Sequence, residues 1–162
     1  MKQGHLAELI GVAQTTISRW EKGELRITDA QRDAIRRALA LAPDEPQDAA
    51  LKRLVESSES KVHLICDRTH RLIAASKARA AEWRIARETA IGRSLFAFAS
   101  PRIRAAEQSL DVLGWREGRV SHLVIETDAN LDRDIPIEPG LVRWERIELA
   151  NGAARRLVTT IG

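Results

Sequence analysis

The chain has 162 residues, of which 44% are hydrophobic and 30% charged, with 26 Lys and Arg against 23 Asp and Glu and a single cysteine. This composition excludes a collagen, a disulfide scaffold and a wholly disordered chain, and the length suits one medium domain or two small ones. One thiol, Cys66, forms no internal disulfide, so we expect packing to hold the fold in a reducing compartment, the cytoplasm. No apolar run approaches the roughly 18 residues that span a bilayer, so no membrane contact is predicted.

The net charge of +3 is small, so its distribution along the chain matters more than its total. Residues 1–41 carry seven Lys and Arg against five Asp and Glu, a net charge of +2, which leaves +1 for the remaining residues. This modest excess of positive charge near the start is a weak indication of a polyanionic partner.

The first 41 residues are predicted to form short helices separated by tight turns, because apolar residues recur at helical spacing between turn residues. Ile17 and Trp20 share the apolar face of the second of these helices. A third helix is predicted to begin near Thr28, because Thr28 and Gln31 have the Thr-x-x-Gln spacing of a capping box. The buried stripe of this third helix is predicted to consist of Ala30, Ile35, Ala38 and Leu39.

The segment HLAELIGVAQTTISRWEKGE resembles the helix-turn-helix of the phage-repressor-like (XRE, or Cro/C1-type) DNA-binding family. The positions that carry the resemblance are Gln3, Ala7, Gly11, Val12, Gln14, Ile17, Ser18, Trp20, Glu21 and Gly23. Ala7 is small where the two helices cross closely, and Gly11 suits a turn with a positive φ. The alternative is a helical hairpin with a purely structural role.

The resemblance implies that the second helix, from about Gln14 to Lys22, enters the major groove of double-stranded DNA and presents its first residues to base edges. The base contacts that it implies are made by Gln14, Thr15 and Arg19, which suit adenine, thymine and guanine respectively. Phosphate contacts, which position a protein without reading the sequence, are expected from Gln3, Thr16, Ser18 and Lys22. The competing interpretation for each of these residues is a solvated helix face.

Two features depart from the family pattern. Ala13 stands where family members usually carry Ser or Thr, and the missing cap should cost about 1 kcal/mol. The family also has a helix before the matched segment, where this sequence offers only Met1 and Lys2. We expect the true start of the protein to lie upstream of Met1. The alternative is that a partner covers the apolar face of the small domain that the first helix would otherwise cover.

A linker is predicted after the first segment, because residues 42–48 contain two prolines and three acidic residues. Residues 49–57 are predicted to form an amphipathic helix with Leu51, Leu54 and Val55 on one side. This helix packs on the next domain or, in the less favoured alternative, pairs with a second subunit. The predicted domains are a DNA-binding domain at 1–41, a linker with a connector helix at 42–60 and a C-terminal domain at 61–162.

From about residue 61 the pattern changes to short strands bounded by turn residues. The predicted elements, in order, are strands at 61–67 and 70–75, helices at 76–87 and 102–113, and strands at 120–127, 141–149 and 154–161. The first two strands form a hairpin, and the last two are joined across Asn151 and Gly152, a strong turn signal. This order predicts an α+β domain with a mixed antiparallel sheet whose helices lie in one insertion.

The segment VHLICDRTHRLIAAS, which ends at Ser76, and the segment from Ile91 to Phe96 resemble a PAS-type sensor domain. The resemblance implies a five-stranded antiparallel sheet with helices between its second and third strands. A different α+β ligand-binding or dimerisation domain is the alternative. The aromatic residues that can line a cavity between sheet and helices are Trp83, Phe96, Phe98, Trp115 and Trp144, with core packing as the competing role.

Neither catalysis nor metal binding is predicted. The sequence has no Gly-rich phosphate loop, no HExxH or GxSxG motif and no paired cysteines, so we do not expect an enzyme. His63 and Cys66 are three positions apart on a predicted strand and point to opposite faces, which argues against a shared metal. Cys66 is expected to be a small core residue, and no cofactor is expected.

The favoured interpretation is a transcriptional regulator that binds specific DNA sequences through its N-terminal domain. Its PAS-like domain is expected to sense a small molecule or to mediate dimerisation. The partners expected are double-stranded DNA, a second copy of the chain and an unidentified small-molecule ligand. The alternative is a PAS-like protein-interaction or sensory module whose N-terminal half is degenerate and does not bind DNA.

Overall fold

The computed structural model describes residues 12–23, 26–32, 34 and 46–162. The chain divides into two compact units, Met1–Ala42 and Pro43–Gly162. Several predictions lie outside the described residues: the first helix, the phosphate contact Gln3, the buried positions Ile35, Ala38 and Leu39, and the side chains of Trp20 and Glu21.

The first unit contains the predicted second helix, α1, which spans Gln14–Glu21. Ala13 precedes this helix and contributes only its backbone carbonyl, which accepts the amide of Thr16 at 2.9 Å. Ile17 is 3% exposed and marks the buried side of α1. Gly23 follows the helix at φ +70°, a left-handed conformation that glycine adopts without strain and that commonly ends helices.

The capping box predicted for the third helix is confirmed. The amide of Thr28 donates to Oε1 of Gln31 at 3.0 Å, and the amide of Gln31 donates to Oγ1 of Thr28 at 3.2 Å. Helical residues follow directly at 29–32. The prediction that Ala30 belongs to the buried stripe is wrong, because this residue of the first turn faces solvent.

The second unit contains a five-stranded antiparallel sheet with the strand order β2-β1-β5-β4-β3. Its strands are β1 (Val62–Cys66), β2 (Leu72–Ala75), β3 (His122–Thr127), β4 (Gly140–Glu148) and β5 (Ala154–Thr160). The predicted succession of strands and both predicted hairpins are confirmed. Gly152 lies at φ +81° in the turn between β4 and β5, as a hairpin turn of this kind requires.

Helices precede the sheet and fill the interval between β2 and β3. They are α2 (Pro46–Ser57), α3 (Lys77–Ala80), α4 (Arg87–Ala90) and α5 (Pro101–Leu113), with a 3-10 helix at Leu95–Phe98. The single helix predicted over 76–87 is wrong, since α3 ends at Ala80. The amide of Arg84 donates to the carbonyl of Asp134 at 2.8 Å instead of continuing the helix, and the neighbouring Trp83 is buried.

The helix α2 begins inside the predicted linker, at Pro46 rather than near residue 49. Proline is well suited to the first turn of a helix, where its missing amide costs no hydrogen bond. Val55 is buried, but the prediction that Leu54 shares the buried side is wrong, because Leu54 is 66% exposed. Leu51 and Val55, one helical turn apart, form the narrow face that packs on the sheet.

The two faces of the sheet bury different cores, as the alternation of side chains along each strand requires. Val62 and Leu64 of β1 pack against α2 on one face. Ile65 of β1 belongs to the second core, with Trp144 and Val158 on the other face. Cys66, expected in the core, is a free and half-buried cysteine at the end of β1.

Ser76 caps α3 and connects it to the start of β1. Its hydroxyl oxygen accepts hydrogen bonds from the backbone amide of Arg79 at 3.1 Å and from that of Val62 at 3.3 Å. The same hydroxyl donates to the carbonyl of Ser60 at 2.7 Å, and the residue is fully buried. One side chain therefore fixes both the direction of α3 and the position of Arg79.

We expect Ser76→Ala to lower the free energy of unfolding by about 1–3 kcal/mol, because it leaves buried polar groups without a partner. Urea unfolding of the full chain, followed by tryptophan fluorescence, measures this loss. Ser57→Ala is the matched control, since the exposed Ser57 hydroxyl donates to the carbonyl of Leu54 within the same helix. The control should change stability by less than about 0.5 kcal/mol. Equal effects of the two substitutions would contradict the role given to Ser76.

Candidate functional site

The helix α1 presents a polar surface to solvent. Gln14, Thr15 and Arg19, the residues predicted to contact bases, are exposed. Of the predicted phosphate contacts in this helix and just beyond it, Lys22 is exposed, whereas Thr16 and Ser18 are half-buried. Helical geometry places Thr15, Arg19 and Lys22 on the side of the helix away from Ile17. The contacts themselves stay predictions.

A cavity of about 500 Å³ lies within the second unit, between the sheet and the segments that connect β2 to β4. The sheet contributes Ile65, Trp144 and Val158 to its wall, and the 3-10 helix and α5 contribute Phe96 and Ile103. An apolar wall with a few convergent polar groups is typical of binding sites for small molecules. This cavity is therefore the candidate ligand site of the unit.

The aromatic residues predicted to line a cavity divide into two groups. Trp83, Phe96, Phe98 and Trp144 lie on its wall. The prediction is wrong for Trp115, which is fully buried and whose indole N–H donates to both carboxylate oxygens of Asp67 at 3.1 Å. Trp115 follows the end of α5 and packs beside the guanidinium of Arg156, 5.3 Å from the centre of one of its rings.

Arg156 of β5 is a buried cation on the cavity wall, with 1% of its surface exposed. Its Nε donates to Oδ1 of Asp67 at 2.7 Å, and its Nη1 donates to Oε2 of Glu107 at 2.6 Å. The guanidinium carbon lies 4.5 Å from the centre of the Trp144 ring. Two carboxylates and an aromatic face together compensate a charge that would be very costly to bury alone. We call Asp67, Glu107 and Arg156 the Arg156 network.

His70 joins the turn between β1 and β2 to this network. Its Nε2 lies 2.8 Å from Oε1 of Glu107, and its ring stacks on Phe96 with the ring centres 4.9 Å apart. The backbone of His70 has φ +58°, which is uncommon for a residue other than glycine. The side-chain contacts accompany this unusual conformation and hold the turn against α5.

The ionised form of Glu107 is strongly favoured in the folded protein. Burial alone would raise the pKa of Glu107, but hydrogen bonds from His70 and Arg156, reinforced by their charges, lower the pKa from 4.5 to about 2. A carboxylate with a lowered pKa stabilises the fold above its unfolded pKa and loses that contribution as the pH falls. The network therefore depends on the charge of Glu107.

A second charged group lies on the cavity wall near the other end of β1, and we call it the Arg79 cluster. Nη1 of Arg79 donates to Oε2 of Glu82 at 2.7 Å, and Nη2 donates to Oγ1 of Thr160 at 2.6 Å. Nζ of Lys61 lies 2.7 Å from Oε1 of the same Glu82. The carboxylate of Glu82 thus forms ion pairs with two cations.

His63 is the uncharged member of this part of the wall. Burial, and then the nearby charge of Arg79, lowers the pKa of His63 well below 6.5, so the imidazole is neutral at pH 7. Its ring centre lies 6.4 Å from that of Trp83 in an edge-on arrangement. Nδ1 of His63 and Nε of Arg79 are buried, and neither atom has a hydrogen-bond partner in the described part of the chain.

Two further properties bear on the site. Among residues 12–23, 26–32, 34 and 46–162, no group of three or more His, Cys, Asp and Glu is arranged to hold a metal ion. None of the helices in those ranges has the length and hydropathy needed to cross a membrane.

The first unit matches a known protein family. Residues 1–45 match the family model HTH_3, described as a helix-turn-helix. This match confirms the helix-turn-helix that the sequence predicts. No curated protein matches the chain in sequence.

The second unit is similar in structure to several solved domains. The PAS domain of an HTR-like protein from Haloarcula marismortui has 19% identity and a TM-score of 0.50, over 71% of this chain and 96% of its own. The RsLOV d2 variant has 12% identity and a TM-score of 0.51, over 73% and 68% of the two chains. At such identities the likeness shows the fold alone, and it confirms the predicted PAS fold.

A longer relative in structure is described as an RNA-binding Light-Oxygen-Voltage receptor. It is 11% identical to this chain, with a TM-score of 0.52, and the alignment covers 98% of this chain. The alignment covers 52% of the receptor, so this chain spans about half of the receptor's length.

We expect Glu107→Gln to destabilise the protein at pH 7, because Arg156 loses a charged partner. The lowered pKa of Glu107 sets an upper limit of about 3 kcal/mol on this loss, and screening by solvent makes the loss smaller. The difference from the wild type should shrink as the pH falls from about 4.5 towards about 2, since Glu107 itself then becomes protonated. Urea unfolding at a series of pH values measures this difference.

Glu117→Gln is the matched control, because Glu117 is exposed and should show no such change. A difference between wild type and Glu107→Gln that stays constant over the whole pH range would contradict the role given to the Glu107 charge.

Proposed function

Because the chain joins a helix-turn-helix of the XRE type to a domain with the PAS fold, we propose that it is a transcriptional regulator that binds specific sequences in double-stranded DNA. We further propose that it holds a small molecule in the PAS cavity. The family match and the exposed polar side of α1 support DNA binding. The cavity of about 500 Å³, with aromatic side chains on its wall, is the observation that carries the ligand.

The proposed DNA contacts follow from the chemistry of the side chains on α1. Arg19 can donate two hydrogen bonds to guanine, Gln14 can pair with adenine, and the methyl group of Thr15 can contact thymine. Lys22 adds positive charge for a phosphate. The net charge of this segment is small, so sequence discrimination should depend on these few placed residues more than on a basic surface.

We expect Gln14→Ala and Arg19→Ala each to weaken binding to cognate DNA by about 1–3 kcal/mol, roughly 5-fold to 150-fold, because each removes a bidentate base contact. Lys22→Ala should weaken binding to all sequences alike and lower the salt slope by about 1. Fluorescence anisotropy with duplexes from the region upstream of its own gene measures both quantities.

Arg133→Ala is the matched control, since it removes the same charge from an exposed loop of the second unit. Sedimentation velocity shows whether each variant keeps its oligomeric state. If Gln14→Ala and Arg19→Ala bind as the wild type does, or if the wild type shows no sequence preference, the chain fits the alternative of a sensory or interaction module that does not bind DNA.

A homodimer forms part of the proposal. Helix-turn-helix proteins commonly read two half-sites about 34 Å apart, one turn of DNA, through two recognition helices related by two-fold symmetry. A single α1 offers few base-reading side chains, and a second copy doubles them. Sedimentation velocity of the full chain bound to DNA tests this directly, and one copy bound per site would contradict it.

A further inference from the structure

Branched aliphatic side chains form much of the cavity wall, in addition to the aromatic ones. The sheet contributes Ile65, Val142 and Val158, and α5 contributes Ile103. The same four side chains belong to the core of the second unit or pack against it. The cavity is thus continuous with the core, and a ligand with apolar surface is favoured because contact removes both apolar surfaces from water.

The charged side chains on the cavity wall balance one another. The wall carries three cationic side chains and three carboxylates, which are those of Lys61, Arg79, Arg156, Glu82, Glu107 and Glu138. Lys61 and Glu138 are exposed, so water screens their charges. Neither sign of charge therefore predominates on the wall, and the wall attracts neither an anion nor a cation over its whole surface.

The charges on the wall that are buried already have partners inside the protein. Nη1 of Arg79 donates to Oε2 of Glu82 at 2.7 Å. Arg156 donates to Asp67 at 2.7 Å and to Glu107 at 2.6 Å. A charged ligand would have to compete for these groups with partners that the fold holds in place.

The two buried polar atoms without a partner in the described chain do not change this balance. They are Nδ1 of His63 and Nε of Arg79, and both are closed off from the cavity because they have almost no accessible surface. A ligand in the cavity therefore gains no hydrogen bond from either atom.

The free-energy cost of burial now separates charged ligands from uncharged ones. An ion that leaves water for an apolar cavity loses its hydration, and this cost is recovered only if the site supplies an opposite charge that is free to pair. The buried charges of this wall are engaged with one another. An uncharged molecule avoids the cost and keeps the gain from apolar contact.

We propose that the cavity binds an uncharged, predominantly apolar small molecule and discriminates against acids and amines of the same shape. This inference rests on the proposed function, since it names the class of the ligand for the same cavity. The paired charges of the wall provide the discrimination, and the aliphatic and aromatic side chains provide the affinity.

Isothermal titration calorimetry of the full chain at pH 7 tests the proposal with three probes that share a naphthalene ring and differ in charge. They are 2-acetylnaphthalene, which is uncharged, 2-naphthoate, which is an anion, and 2-(aminomethyl)naphthalene, which is a cation at this pH. We expect the ketone to bind at least about tenfold more tightly than either ion, because only the ions lose hydration without gaining a partner.

Glu82→Gln tests whether the paired charges cause this discrimination. The substitution removes the carboxylate that pairs with Lys61 and Arg79 and leaves an excess of positive charge beside the cavity. We expect 2-naphthoate to bind several-fold more tightly than it binds the wild type, while binding of the ketone stays nearly unchanged. Glu117→Gln, at an exposed position, is the matched control.

Ile103→Trp tests whether the ketone binds inside the cavity. The larger side chain should occupy part of the cavity and weaken binding of the ketone at least about tenfold. Val112→Trp is the matched control, since Val112 lies in the same helix and is 87% exposed. Urea unfolding shows whether each variant is folded, and the comparison of the three probes in the wild type does not depend on any variant.

The outcomes distinguish this inference from the proposed function. Preferential binding of the ketone that Ile103→Trp weakens supports both. An acid or amine that binds the wild type as tightly as the ketone does overturns the uncharged class, while the cavity stays a ligand site. Acid binding that is unchanged in Glu82→Gln overturns the role given to the paired charges. Failure of all three probes to bind overturns both the uncharged class and the proposed ligand, but leaves DNA binding by α1 to its own test.

Discussion

The buried guanidinium of Arg156 is the interaction on which the second unit depends. Its strand, β5, lies between β1 and β4, and its side chain bonds to Asp67 after β1 and to Glu107 in α5. The ring of Trp144 in β4 covers its other side. Removing one partner of a buried ion pair costs about 3–5 kcal/mol, because the remaining charge is left uncompensated. The network therefore holds α5 on the sheet and keeps the cavity wall in place.

The Arg156 network and the Arg79 cluster both contribute side chains to the cavity wall, but their charges are compensated differently. The Arg156 network is complete within the protein, with each charge paired and Trp115 donating to the same Asp67. In the Arg79 cluster, by contrast, Lys61 and Arg79 share the single carboxylate of Glu82. A buried network whose charges are all paired makes a fold rigid and specific. The proposed ligand rests on the volume of the cavity and on the aromatic side chains of its wall.

The sequence predicted what depends on neighbouring residues. The capping box of Thr28 and Gln31, the hairpin turn at Gly152 and the helix α5 all arise from short-range patterns, and the structure confirms them. The ion pairs of Arg156 join residues 89 and 49 positions apart. Sequence periodicity does not indicate which residues pair at such separations. It also does not show whether Arg155 or Arg156 is buried, because the two residues are adjacent and point to opposite faces of the strand. The error at 76–87 has the same cause, since the bond from Arg84 to Asp134 competes with the helix.

Selection from a random library of DNA duplexes by the full chain shows whether α1 reads specific DNA sequences, as proposed. We expect enrichment of a site with two related half-sites whose centres lie about one turn of DNA apart. This enrichment should be lost when Gln14 and Arg19 are both replaced by alanine. A selected pool with no enriched sequence, or the same enriched sequence with the doubly substituted protein, would contradict it.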